Sequence, residues 1–367
     1  MTRAIKWAVL GLYAFAATAS AAPTAPAAQA EPQKILIDTD FNTIGDDGQV
    51  LAMAAQLHKS KTLQILGLTT VTGNQWLAQG VSDGLKAVER LGLEKDVGVY
   101  VGANEPLLHT YAAHQQETKR FGNGTLYVGA YSSPPPAPDA KLVAPPDGFA
   151  THTTPRQQGA VQFILDTVHK YPHEVTILAI GPLTNLALAL RTDPSIAPLI
   201  KGIAHMGGQL YAAGNSYNGA GEINWWMDPE AARVVLRAPI PKTLYPLDLT
   251  NTVPISNATY DAIGSHEPAT AVTELVRGMR RWPYAYDAIA LASLVDPRLN
   301  RNVRELYVDI DCDSDGESYG KGLVWTEDPY AGTGLTTAAS VVFSIDNDRF
   351  FETYVDLLTR PIAPLSN

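Results

Sequence analysis

From Lys34 onward, short apolar, β-branched runs alternate with longer stretches of helical periodicity. "KILID" (34–38) reads as a strand followed by a helix from about Asp47, and "LQILGLTTV" (63–71) as a strand followed by a helix over about 76–91. "EVTILAI" (174–180), "KGIAHMGG" (201–208) and "KTLYPLD" (242–248) continue the series of strands, with "GPLTNLALALR" (181–191) helical between two of them. Apolar runs of strand length separated by amphipathic helices are the mark of βαβ units, whose strands are covered on both faces. The predicted fold is therefore α/β, a single domain with a mostly parallel central sheet flanked by helices. In "PRQQGAVQFILDTVHKY" (155–171), Thr154 as N-cap and Pro155 at the first helical position predict a helix starting there. The proline-rich stretch 132–148, "SSPPPAPDAKLVAPPDG", reads as a stiff surface loop, because the alternation resumes after it.

The first thirty residues break this pattern. Arg3 and Lys6 precede the apolar run "WAVLGLYAFAAT" and then small residues, the layout of a secretory signal cleaved after about position 21 or 30. The run is too short to span a bilayer, and no later stretch is long enough. The expectation is an exported protein, periplasmic or secreted, whose catalytic domain occupies 31–367.

Composition narrows the partners. With 46% hydrophobic and 17% charged residues the chain is globular rather than disordered. A formal net charge of −10 without a basic cluster argues against a nucleic-acid polymer as partner. Cys312 is the sole cysteine, which excludes an intrachain disulfide and a cysteine-ligated zinc site.

Ligands of open α/β sheets bind beyond the carboxyl ends of the strands, so the polar residues there carry the candidate chemistry. In "ILIDTDFNTIGDDGQVL" (35–51), Asp38 and Asp40 end a strand while Asp46 and Asp47 open a helix. A helix N-terminus accounts for one or two carboxylates, but not for four. An all-oxygen cluster without cysteine or nearby histidine suits a hard divalent cation, calcium or magnesium. Three further places follow strands: "LTTVTGN" ending in Asn74, "AIGPLTNLALAL" around Ile180, and a glycine-rich loop carrying Asn215, Glu222 and Asn224. A glutamate and two asparagines suit adjacent sugar hydroxyls. A DxD after a strand also occurs in magnesium-dependent phosphatases, but Asn42 departs from that pattern and the Asp46–Asp47 pair would have no role in it.

Taken in order, the DTD…DD stretch, "TTVTGN", "AIGPLTNLALAL", "MGG…GN…EIN…DPEAA" and "YDAIALASLVDP" resemble the inosine-uridine-preferring nucleoside hydrolase family over nearly the whole of the predicted mature length. The turn between DTD and DD is two residues longer than in the commonest family form. The resemblance implies calcium-dependent hydrolysis of a ribonucleoside to free base and ribose. It implies calcium held by Asp40, Asp47, the main-chain carbonyl of Ile180 and Asp287, with Asp38 in support. Asp46 would be the general base; Asn74, Asn215, Glu222 and Asn224 would grip the ribose above Met206. In "DPEAA" the reading for Asp228 and Glu230 is helix capping. Relatives also lead one to expect a dimer or tetramer.

Two departures concern the base. Where pyrimidine-active members have a histidine before the last calcium aspartate, this chain has Tyr286, and the best match to a second histidine is Phe121. Aromatic rings in place of proton donors imply a purine preference, with Tyr286 as acid or stacking partner. Trp225, Trp226, Trp282 and Tyr284 are further ring candidates, though rings of this size usually belong to the core. The remaining alternatives are an exported nucleoside-binding protein without turnover, which would be two-lobed and would have no use for Asp46, and a family member that has lost activity.

Overall fold

The computed structural model describes residues 31–361 apart from 44, 218 and 280. The signal-peptide reading thus falls on residues outside this range. Among the described residues nine strands form one sheet: β1 (Gln33–Thr39), β2 (Leu63–Thr70), β3 (Val99–Val101), β4 (Val175–Ala179), β5 (Gly202–Met206), β6 (Lys242–Tyr245), β7 (Asn300–Ile310), β8 (Gly322–Trp325) and β9 (Ala338–Ile345). Their order is β3-β2-β1-β4-β5-β6-β9-β7-β8, and all pair in parallel except β7, which is antiparallel to both neighbours.

The five strands and the first two helices expected from the apolar runs are all present; β3, β7, β8 and β9 lie outside the series read from sequence. β4 is buried along its whole length, as strands covered on both faces should be. Ile35 and Ile37 pack on one face with the helix Asp46–Lys59, while Leu36 faces a second core with the helices Ala160–Lys170 and Thr184–Thr192.

The helix expected from Pro155 starts instead at Ala160, with Gly159 as N-cap. The intervening residues run beside the sheet edge, where the Arg156 N–H donates to the Val99 carbonyl (2.9 Å). A hydrogen bond to edge strand β3 thus competes with the first helical turn, and wins. Residues 133–147 contain no helix or strand and are mostly exposed, as expected of the proline-rich loop.

The order 3-2-1-4-5-6 reverses between β1 and β4. The crevice outside their carboxyl ends is where an open parallel sheet binds its ligand.

Candidate active site

A cavity of about 390 Å³ opens at that crevice. Its floor comes from strand ends: Asp40 after β1, Asn74 after β2, Ile180 after β4 and Met206 closing β5. Asp287 joins them from the first turn of the helix Asp287–Val295, and Asp46 from the first turn of Asp46–Lys59. Two helix N-termini therefore aim at one point, and their dipoles favour the carboxylates placed there.

Asp40 sits in a tight backbone seat. A Cβ on Gly73 would fall 2.2 Å from Asp40 Oδ2, and one on Gly181 would fall 2.6 Å from the Asp40 nitrogen. Only hydrogen at these two positions lets the loops after β2 and β4 close on the aspartate. The Asn74 N–H donates to Asp40 Oδ2 (2.6 Å), whereas Asp40 Oδ1 is buried without a hydrogen-bond partner. Asp47 accepts from the Thr39 hydroxyl and from Asn74 Nδ2 (3.0 Å), and Asn74 Oδ1 in turn accepts from the Tyr127 hydroxyl (3.0 Å).

Carboxylate oxygens of Asp46, Asp47 and Asp287 lie within 4.8 Å of one another, an arrangement able to hold a metal ion. Burial raises all of these acids. Asp46 is pushed up to about 6, and Asp47 to about 8 by burial and by the Asp46 charge. Asp40 and Asp287 are held well above the usual carboxylate range by burial and by the charges of their neighbours. Buried like charges need either protons or a cation, and the orphaned Asp40 Oδ1 marks one direction from which a cation would be met. The donor set is all oxygen, which suits a hard divalent ion.

Asp38 stands behind the floor rather than on it. Its Oδ1 accepts from Thr69 Oγ1 (2.6 Å) and Asn185 Nδ2 (2.8 Å), and burial raises its pKa to about 6.

Glu222, Asn224 and Asn215 line one wall with Ile223. The structure refines the loop expected here: Ile223–Met227 is a short helix with Glu222 as its N-cap. The Glu222 carboxylate accepts from the backbone N–H groups of Gly208 (2.8 Å), Asn224 (3.0 Å) and Trp225 (3.2 Å), and burial lifts it to about 7. Asn215 Oδ1 accepts from the Ile223 N–H (2.9 Å), and Asn224 Nδ2 donates to the Met206 carbonyl (3.1 Å). Asp228 caps the next helix through the Ala231 N–H (3.1 Å), as its position before a proline suggests.

The outer wall comprises Thr125, Leu126, Tyr127, Arg281, Trp282, Pro283 and Tyr286. Of these, Tyr286 was expected and Trp282 was a ring candidate; the rest lie in loops whose composition carries no signal. Trp225 and Trp226 are fully buried in the core. Phe121 does not reach this cavity. It ends the helix Tyr111–Phe121 and borders a separate depression with Leu126 and Tyr217, because residues 122–127 loop back and present Leu126 and Tyr127 instead.

The model of the inosine-uridine preferring nucleoside hydrolase family matches residues 35–352. The chain belongs to this family. Such a nucleoside hydrolase is an N-glycosyl hydrolase acting on ribonucleosides, which displaces the phosphatase reading. Uridine nucleosidase 1 of Arabidopsis thaliana is 33% identical, the match covering 72% of each chain. The pyrimidine-specific ribonucleoside hydrolase RihB of Escherichia coli (strain SE11) is 31% identical over 88% of this chain and 95% of its own. Among solved structures, a plant nucleoside hydrolase superposes with a TM-score of 0.73 at 24% identity, covering 90% of this chain and all of its own. As a nucleoside hydrolase, the chain has one continuous sheet rather than the two lobes of the binding-protein alternative.

Proposed function

We propose that this nucleoside hydrolase is an exported, calcium-dependent enzyme that prefers purine ribonucleosides. The observation that carries the reading is one cavity with an acidic floor, a polar wall and an aromatic mouth. Asp40, Asp47, Asp287 and the Ile180 carbonyl would hold calcium, whose charge would acidify a water and grip ribose hydroxyls when bound.

Asp46, on the cavity but outside that ligand set, accepts the proton of the attacking water as the C–N bond breaks. Asn74, Asn215, Glu222 and Asn224 hydrogen-bond the ribose, and the buried carboxylates favour positive charge developing on the sugar. Tyr286 is poorly suited to protonate the leaving base. Burial and the charges of Asp46, Tyr284, Glu222 and Asp287 all raise its pKa above the ordinary tyrosine value. Among the described residues no imidazole lines the cavity. Tyr286, Trp282 and Tyr127 instead line the cavity with aromatic rings, and a purine presents the wider surface for stacking on them. The pyrimidine names of two relatives make this the point to test. Rates on inosine and uridine at matched concentrations should favour inosine; faster cleavage of uridine would overturn the base assignment and leave the hydrolase intact.

A further inference from the structure

A second cluster of metal-ligating side chains lies away from the cavity and plays no part in the chemistry above. His109, in the loop before the helix Tyr111–Phe121, meets His114 and Glu117 from within that helix. His109 and His114 are 3% and 4% exposed, so the cluster is inside the protein. Its surroundings are aromatic: the His109 ring lies edge-on to Trp226 (4.7 Å) and Tyr319 (5.0 Å), and the His114 ring stacks on Tyr131 (5.5 Å).

The hydrogen bonds fix the imidazole of His109. Its Nδ1 lies 2.9 Å from the Trp226 carbonyl, which can only accept, so Nδ1 carries the proton. Nε2 then points into the cluster. It is buried without a hydrogen-bond partner, 3.5 Å from Glu117 Oε2. The same Glu117 oxygen is 3.0 Å from His114 Nδ1. In a tetrahedral site with bonds of about 2.0–2.1 Å, neighbouring ligand atoms stand about 3.3 Å apart, so both separations suit a shared ion. A backbone carbonyl behind the far nitrogen is also how metal-bound histidines are commonly oriented.

We propose that His109, His114 and Glu117 form a second metal site, away from the cavity, which takes Zn²⁺ or a similar borderline divalent ion. Two imidazoles and one carboxylate give a mixed nitrogen and oxygen set, unlike the all-oxygen floor of the cavity. Three protein ligands leave one position for a water. The ion would pin the helix Tyr111–Phe121 to the helix Ile223–Met227, because the Trp226 carbonyl holds His109 and Glu117 Oε1 accepts from Trp226 Nε1 (3.3 Å). The competing arrangement is a proton on His109 Nε2, making an imidazolium that pairs with Glu117.

The test is Co²⁺ titration of the chelator-treated full chain in excess Ca²⁺. The expected result is one equivalent bound with intense tetrahedral d–d absorption, displaced by Zn²⁺, together with a rise in Tm when Zn²⁺ is added. His109→Gln, His114→Gln and Glu117→Gln should each lose the band, with folding checked by circular dichroism, while Asp47→Ala should retain it. Should the ligand variants fail to fold, the wild-type and Asp47→Ala spectra decide. No Co²⁺ or Zn²⁺ uptake by the wild type would overturn the proposal. A band that survives His109→Gln and Glu117→Gln, or disappears in Asp47→Ala, would overturn it equally.

Discussion

Asp46 and Asp47 are sequence neighbours in one helical turn, yet their surroundings differ in a way that fits the different tasks proposed for them. Asp47 is fixed by Thr39 and Asn74 and nearly sealed from solvent, while Asp46 is partly exposed on the cavity. A fixed, buried carboxylate suits an ion, and a reachable one suits proton transfer. Asp46→Asn keeps the shape and removes the base, so kcat should fall by about 10²–10⁴. Circular dichroism and Tm should stay close to wild type; a variant within tenfold of wild type would remove Asp46 from the base role. Tyr286→Phe keeps the ring and loses the hydroxyl, so it should retain most activity on inosine, and a collapse to the level of Asp46→Asn would make Tyr286 the acid. At this scale the sequence was informative wherever residues recur at strand ends. Phe121 was misplaced because the loop after it reverses direction, and nothing in "FGNGTLY" specifies which side chain then faces inward.

Elements impose the energetics of the acidic floor. The helices starting at Asp46 and Asp287 bring their N-termini together, but dipoles worth about 0.3–1 kcal/mol each do not offset the burial of several like charges. The metal-free protein must therefore hold protons that the unfolded chain releases. Burial and the Asp46 charge push the folded Asp47 up to about 8, against 3.8 for an ordinary aspartate. Below about pH 4 both states are protonated. Between about 4 and 8 only the folded state keeps the proton, so stability falls as pH rises, by up to about 1.4 kcal/mol per pH unit for one proton. After chelation, Tm should drop between pH 6 and 8, and added Ca²⁺ should restore it most at the upper end. A chelated protein whose Tm is flat over that range would argue against the cluster. The short helix after Glu222 makes a separate prediction. If its buried acid and Asn224 bind sugar hydroxyls as proposed, deoxyinosine should be cleaved roughly 10⁴-fold less efficiently than inosine. Comparable kcat/KM values would give these two residues another purpose. None of the capping geometry around Glu222 is legible from composition, since a loop rich in glycine and asparagine reads the same with or without a helix inside it.

Across the whole molecule, the parallel half of the sheet was readable because strands buried on both faces are apolar throughout. β7 was not, because its first residues are exposed and polar, "NRNVRE", and its pairing depends on β9 some forty residues later. The cavity too is built partly from the sheet and partly from loops outside it. Asp40, Asn74, Ile180 and Met206 stand at the ends of central strands, whereas the mouth is formed by 125–127 and 281–286, two loops with no place in the sheet. Selection can therefore rewrite the mouth while the bond-breaking end stays untouched. Within such a scaffold, preference among bases is an easily diverging trait and cleavage of the sugar bond a stubborn one. Libraries randomised at Leu126, Trp282 and Pro283, with Tyr127 kept because its hydroxyl holds Asn74, should yield hydrolases of altered base choice far more often than dead proteins.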